Sequence, residues 1–280
     1  MDFKKFSSLI LFEQTLFALP FAYLGVLFAN GRHFSTWVLV TVAFVAARTA
    51  GMSFNRVIDA EIDSRNPRTK HRLVPSGEVK RIEVWLIGLI ACLMLVGASF
   101  LLNTLCFYLS FPAIVLLFTY SYFKRFSSSS HFYLGLVEAV APIGGYIAVT
   151  GKFSLVSILL GVAILLWIAG LDIVYAVQDL DFDRKEGLYS FPSIFGQNAS
   201  LIVSEACYVL SMCAMVTAGV ITGKSIPYWM ALACVAFIFI YQQMVVKSGD
   251  MSLALKKFFY ANLYVSPFLL IGTLIDVFLT

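Results

Sequence analysis

The sequence predicts an all-α, multi-pass membrane helical bundle with nine transmembrane helices. Two observations carry that class. Of 280 residues, 60% are hydrophobic and only 13% are charged, with a mean hydropathy of +0.87. A soluble domain carries about 25% charged residues. This chain has too little polar surface to cover itself in water, and it is too apolar for a disordered chain or a small disulfide scaffold. The second observation is nine apolar stretches of the length, about 20 residues, that a helix needs to cross the hydrocarbon core. A transmembrane barrel would show short alternating segments instead, which continuous runs such as Leu159–Ile168 and Ala231–Ile240 contradict.

The spans are expected at 9–29, 36–54, 82–103, 105–122, 132–150, 154–177, 201–222, 226–246 and 258–279. The first closes at the turn Asn30-Gly31. Lys4 and Lys5 precede it as in a signal peptide, but Glu13 and Gln14 interrupt its start and no small-residue cleavage site follows, so it reads as a retained helix. The second ends in an acidic stretch at 55–63, and the third opens after Lys80-Arg81. The fourth closes on Lys124-Arg125, and Ser127–Ser130 forms a polar loop before the fifth. The sixth ends in a second acidic stretch at 172–183. Thr222-Gly223-Lys224 separates the seventh from the eighth. Sixteen of the 20 Lys and Arg fall in segments 4–5, 56–81, 124–125, 184–185 and 247–257, which alternate onto one side; Arg32, Lys152 and Lys224 fall on the other. That asymmetry places the N-terminus in the cytoplasm and, after nine spans, the C-terminus outside. The five cysteines lie within spans, odd in number and without a Cys-x-x-Cys pair, and read as small packing residues.

Two acidic helical ladders hold most of the remaining charge. Asn55, Asp59 and Asp63 repeat every four residues, so they share one helix face, with the intramembrane Arg48 seven residues before Asn55 near the same line. Asp172, Tyr175, Asp179 and Asp183 repeat the pattern 120 residues later. The offset suggests a duplicated four-helix unit with a ninth helix added, within a single domain 1–280. Carboxylates at this spacing repel one another, and a hard divalent cation removes the penalty. Mg²⁺ binds through one or two carboxylates plus substrate phosphate oxygens, so two such ladders beside Arg and Lys point to a metal–diphosphate site. Solvated helix ends paired with neighbouring Arg are the plain alternative. No EF-hand, Walker loop or dinucleotide fingerprint is present, and nothing points to nucleic acid or an obligate protein partner.

Ionisable groups inside spans are functional candidates by default. Arg48 and Asp172 sit at similar depth, either gripping a substrate carboxylate or pairing with each other. Glu13, Glu138 and Glu205 lie near span ends and are expected to reach water. Asp276 is assigned no role. His33, His71 and His131 read as scattered loop residues that form no ligand set. Asn66-Pro67-Arg68-Thr69-Lys70-His71-Arg72 follows the first ladder, where Pro67 argues for an interrupted helix. Tyr120 and Lys124 share a face at the end of the fourth span.

These motifs carry a resemblance. Asn55-x-x-x-Asp59-x-x-x-Asp63, followed by Asn-Pro-Arg-Thr at 66–69 and Pro-Ser-Gly at 75–77, looks like the first motif of the UbiA superfamily of intramembrane prenyltransferases. Asp172-x-x-Tyr175-x-x-x-Asp179-x-x-x-Asp183 looks like the second, and Tyr120-x-x-x-Lys124-Arg125 matches the shorter motif between them. The resemblance covers the whole chain. One departure is Arg72-Leu73-Val74-Pro75, where the family pattern usually reads Arg-Pro-Leu-Pro.

The resemblance implies a helical bundle around a central cavity with a cytoplasmic cap, in a bacterial inner membrane. It implies Mg²⁺ as cofactor, with Asn55, Asp59 and Asp63 holding one ion and Asp179 and Asp183 a second. Arg68, Arg72, Tyr120 and Lys124 would contact the diphosphate, Tyr175 would join the substrate contacts and Arg48 would face the acceptor. Asp172 would polarise a phenol or accept a ring proton. The implied reaction moves a polyprenyl group from polyprenyl diphosphate to a hydroxylated aromatic acid in respiratory quinone biosynthesis. The sequence is most similar to bacterial 4-hydroxybenzoate polyprenyltransferases. Tyr-Ala-Val-Gln-Asp at 175–179 with Phe182-Asp183 and Gly187-Leu188 also resembles relatives acting on dihydroxynaphthoates in menaquinone synthesis, and a relative acting on haem or a chlorin is a further enzyme reading. A secondary transporter is the rival from another class, but transporters place binding charges near the midplane, whereas the convergent charges here lie at one end of the spans.

Overall fold

A computed structural model describes residues 2–247 and 251–279, all helix, turn or loop. Eight helices among the described residues are long and apolar enough to cross a membrane, or nine if one bent helix pair is a single span. The helical class therefore stands, with the bent pair as the candidate for the remaining span. Its two pieces are α1 (Phe3–Ile10) and α2 (Phe12–Phe28), inclined to each other by 54°. Leu11 between them adopts a left-handed conformation at φ 51°, which disfavours a side chain with a Cβ. The Thr15 hydroxyl donates to the carbonyls of Ile10 and Leu11 at the break. α1 begins with Asp2 accepting from the Lys5 N–H at 2.8 Å.

The remaining helices are α3 (Phe34–Ile58), α4 (Ala60–Arg65), α5 (Arg81–Leu102), α6 (Thr104–Phe123), α7 (Ser130–Thr150), α8 (Leu155–Ala176), α9 (Leu180–Glu186), α10 (Phe191–Ile221), α11 (Ile226–Val246), α12 (Met251–Asn262) and α13 (Val265–Leu279). Two expected bounds change. α10 starts ten residues earlier than the span expected at 201–222, carried through a kink at Gly196, whose φ of 81° suits glycine. The run at 258–279 is divided between α12 and α13. Pro267, in the first turn of α13, has no N–H, and in a continuous helix its ring would clash with the carbonyl of Leu263, which the break between the two helices avoids.

The chain folds as two compact units, Met1–Leu19 with His33–Tyr122 and Pro20–Arg32 with Phe123–Thr280. In the first, α3 packs along α5, and Phe54, Trp85 and Phe118 form an aromatic cluster between α3, α5 and α6. Leu9 and Ile10 of α1 are buried with Val57, Ala60, Val74, Val79 and Val84. In the second unit, α8 packs on α7 and α10, and α11 on α12 and α13. Trp167 is buried between Phe21 and Phe239 and donates its indole N–H to Asn262 Oδ1 at 3.1 Å.

Helices in lipid gain little from hydrophobic association, so small residues that allow close packing matter more. A Cβ at Gly135 of α7 would overlap the Leu165 carbonyl of α8, and one at Gly145 would overlap the Ala22 carbonyl of α2. Backbone, not a movable side chain, occupies both places. Gly135→Ala is therefore expected to lower stability by about 1–3 kcal/mol, seen as a lower thermal midpoint in detergent. An unchanged midpoint would show that α7 and α8 have room to separate.

Candidate active site

The first ladder is built at the end of α3. The helix gives way at Asp59, with φ −90° and ψ −1°, yet the chain keeps its pitch. Asp59 N–H bonds to Asn55 O at 2.9 Å and Asp63 N–H to Asp59 O at 2.8 Å. Asn55, Asp59 and Asp63 thus stay on one face across the break. Both carboxylates are buried, Asp59 at 2% and Asp63 at 4% exposure. The Asn55 amide donates from Nδ2 to Asp59 Oδ2 at 2.8 Å and to Ser121 Oγ at 3.1 Å. A carboxylate only accepts, so the Asn55 Nδ2 must face Asp59 and its Oδ1 is the atom left for a cation. Arg72 Nη1 bonds to Asp63 Oδ2 at 2.7 Å.

Arg72 reaches Asp63 because the intervening chain is tightly turned. As Pro67 requires, α4 stops at Arg65 and Asn66 is extended, with φ −85° and ψ 120°. The Asn66 side chain accepts from Arg68 N–H at 2.9 Å, and Thr69 donates its hydroxyl to Asp63 O at 3.1 Å. Arg68 is exposed and Arg72 half-buried. The missing proline of the Arg72–Pro75 stretch is offset by packing, since Val74 is buried against Leu9 and Ile10 with Leu73 beside it. Arg48 is half-buried on α3, and Tyr120 is half-buried on α6.

The second ladder lies in the other unit and is less regular. α8 ends at Ala176, a 3₁₀ turn covers Val177–Asp179, and α9 follows. A 3₁₀ turn advances about 120° per residue rather than about 100°, so Asp179 and Asp183 are turned relative to Asp172 and Tyr175. Asp179 and Lys124 both place charge near the half-buried Asp183, and the Ser190 side chain hydrogen-bonds it. Lys124 follows α6, and its carbonyl accepts from Tyr189 N–H at 2.8 Å. The Tyr175 ring meets Phe259 edge-on, with centroids 4.9 Å apart.

Asp172 has a partner that the sequence reading did not foresee. Its Oδ2 lies 2.7 Å from Nδ1 of His131, so the carboxylate proposed for pairing with Arg48 is engaged by an imidazole. His131 is not a loop residue. It sits in the first turn of α7 at 4% exposure. A lone histidine carries no motif, and its partners are 41 and 60 residues away. Glu138, expected to reach water, is likewise buried on α7, whereas Glu205 pairs with Lys247 at 2.8 Å. Asp276 accepts from Ser225 and pairs with Lys224 at 3.0 Å, which ties the turn before α11 to α13.

The donor chemistry suits a hard divalent cation. Among the described residues no three His, Cys, Asp or Glu groups converge on one point, so neither ladder forms an all-protein cage. A buried pair of aspartates with an amide oxygen beside them matches the few protein oxygens that Mg²⁺ takes when phosphate and water complete its shell.

A model of the UbiA prenyltransferase family matches residues 18–263. The chain belongs to that family. It is 32% identical over 276 residues to the 4-hydroxybenzoate octaprenyltransferase of Pectobacterium atrosepticum, an alignment covering 97% of this chain and 92% of that protein. The apo structure of a UbiA homolog from Aeropyrum pernix K1 superposes with a TM-score of 0.88 at 31% identity, covering 94% of this chain and 98% of that one. A UbiA homolog from Archaeoglobus fulgidus bound to GPP and Mg²⁺ shares the fold, with a TM-score of 0.73 at 16% identity over 96% of this chain and 99% of that one. This UbiA family member is a prenyltransferase, and the resemblance read from its two motifs holds along the chain.

Proposed function

We propose that the chain transfers a polyprenyl group from polyprenyl diphosphate to the ring of 4-hydroxybenzoate, in the ubiquinone branch of quinone biosynthesis. The observation that carries the reading is the hydrogen-bonded Asn55–Asp59–Asp63–Arg72 constellation, its two aspartates buried, in a chain that aligns over 97% of its length with a 4-hydroxybenzoate octaprenyltransferase. The substrates are then the prenyl diphosphate and the aromatic acid, met in the lipid bilayer of a bacterial inner membrane. The basic asymmetry of the loops supports a cytoplasmic N-terminus and an external C-terminus.

Asn55, Asp59 and Asp63 would hold one Mg²⁺, and Asp179 and Asp183 a second. When bound, Mg²⁺ supplies Lewis-acid stabilisation of the negative charge that builds on the departing diphosphate. Arg72 serves this chemistry twice: it neutralises Asp63 and presents further N–H donors to phosphate oxygens. Arg68, Tyr120 and Lys124 complete the diphosphate contacts. Tyr175 lines the substrate side, and Arg48 binds the acceptor carboxylate. The allylic C–O bond breaks with its electron pair leaving on the diphosphate. The ring carbon ortho to the phenol oxygen then attacks the allylic carbon, forming the C–C bond. The ring proton passes to a base, which we assign to Asp172, and aromaticity returns. Water must be kept from the allylic cation, which it would convert to prenol; a lipid-embedded site serves that end.

The matching order of elements around the ladders supports a duplication. In each case a long helix ends, an aspartate (Asp59 or Asp179) immediately precedes a short helix, and a loop leads to the next long helix.

The test is transfer from labelled prenyl diphosphate by purified protein in the absence of any ion gradient, with 4-hydroxybenzoate and a dihydroxynaphthoate offered side by side. Prenylated 4-hydroxybenzoate, formed only with Mg²⁺, is the expected product. Product from the naphthoate alone would overturn the acceptor, and no product from either would overturn the activity.

A further inference from the structure

We infer that His131 is a positioning residue that holds both the aromatic-acceptor base and the carboxylate end of the second ladder; the inference rests on the reading of Asp172 and Asp183 given above. The imidazole joins three helices. Its Nε2 accepts from the backbone N–H of Phe191 at 3.1 Å, so Nε2 carries the lone pair and the ring proton sits on Nδ1. The Nδ1–H is thereby aimed at Asp172 Oδ2, 2.7 Å away, a short charge-assisted bond. The ring is nearly sealed from solvent, whereas the Asp172 side chain keeps 24% exposure. Asp172 is thus fixed through one oxygen while its carboxylate stays accessible, the arrangement in which a base is oriented by a third group.

The second bond reaches the other function. Phe191 is the first residue of α10, and Ser190 caps that helix by accepting from Ser193 N–H at 3.3 Å. The Ser193 hydroxyl donates to the carbonyls of Leu188 and Ser190, each at 2.8 Å, and Leu188 N–H bonds to Asp183 O at 2.8 Å. Ser190 also bonds the Asp183 side chain. His131 therefore pins the start of the segment whose cap orients Asp183. One side chain on α7 sets the direction of a carboxylate on α8 and of another on α9.

Two near-isosteres separate the bonds. Asn at 131 keeps a donor close to the Nδ1 position and gives up the acceptor for Phe191. Gln keeps an acceptor close to the Nε2 position and gives up the donor to Asp172. His131→Gln is expected to lower kcat about 10–100-fold, the range for lost outer-shell partners, with KM for prenyl diphosphate and the Mg²⁺ requirement held within about twofold. His131→Asn is expected to raise KM for prenyl diphosphate and the Mg²⁺ concentration for half-activation by about 10-fold. A readout independent of turnover is the rise in thermal midpoint on adding Mg²⁺ with inorganic diphosphate. That rise should persist in His131→Gln and shrink in His131→Asn. A fall in midpoint common to both variants, with kinetic constants and diphosphate response unchanged, would reduce His131 to packing and overturn the inference. Wild-type protein that stabilises with Mg²⁺–diphosphate but prenylates no aromatic acid would instead overturn the acceptor reading, leaving the diphosphate arm of the His131 test decisive.

Discussion

Asp59→Asn is expected to remove at least about 10²–10³-fold of the transfer rate, the scale seen when one preorganised electrostatic contact to a developing negative charge is lost. The substitution is close to isosteric. Asn55 Nδ2 now donates to Asp59 Oδ2 at 2.8 Å, and an amide oxygen at residue 59 can accept the same bond. Packing around this buried position should therefore survive while its charge does not. Steady-state transfer at saturating prenyl diphosphate and a titration with Mg²⁺ would measure the effect, with the thermal midpoint as the control for folding. Turnover within about threefold of wild type, against the 10²-fold scale of such contacts, would remove Asp59 from the metal site.

The second large effect is expected at Arg72. Arg72→Ala takes away the donor proposed for the diphosphate and also leaves the Asp63 side chain, 6% exposed, without its 2.7 Å partner. Transfer measured as kcat/KM for prenyl diphosphate should fall about 10²-fold, and stability should fall by about 1–3 kcal/mol, the cost of a buried acceptor left unsatisfied. Arg72→Lys should recover part of the stability and less of the activity, because an ammonium restores charge but not the planar fork that meets two oxygens at once. The double variant Asp63→Ala, Arg72→Ala separates the two roles. It should be more stable than the two single losses added together, since neither partner is then left alone, while remaining inactive. Strict additivity would mean that the pair is not coupled.

Periodicity carried much of this protein because a helix converts spacing into direction. Asn55, Asp59 and Asp63 could be placed on one face from their numbers alone, and the backbone bonds across the break at Asp59 keep them there. The same argument was weaker for Asp172 and Asp183, because three residues of 3₁₀ turn between them change the angle per residue and nothing in Val-Gln-Asp announces the change. Pro67 ended α4 as its ring chemistry requires. Pro267 carried equally good information about the division between α12 and α13, but hydropathy averaged over a long apolar run hides it. The break at Leu11 had no glycine or proline to mark it. His131 was the hardest to find, since its role lies in bonds to two positions distant in the chain and sequence distance conveys nothing about such meetings.

The apolar cluster of Leu9, Ile10, Val74 and Val79 bears on how variants of this protein should be interpreted. The loop carrying Arg68 and Arg72 takes its shape partly from a surface supplied by the first ten residues, reinforced by a Lys5–Glu78 bridge at 3.3 Å and by Arg56 donating to the Leu9 carbonyl. Leu9 has no reactive group, yet it is 1% exposed. Its neighbours make it part of the footing of the loop proposed to bind diphosphate, so a polar replacement there is expected to lower transfer as well as stability.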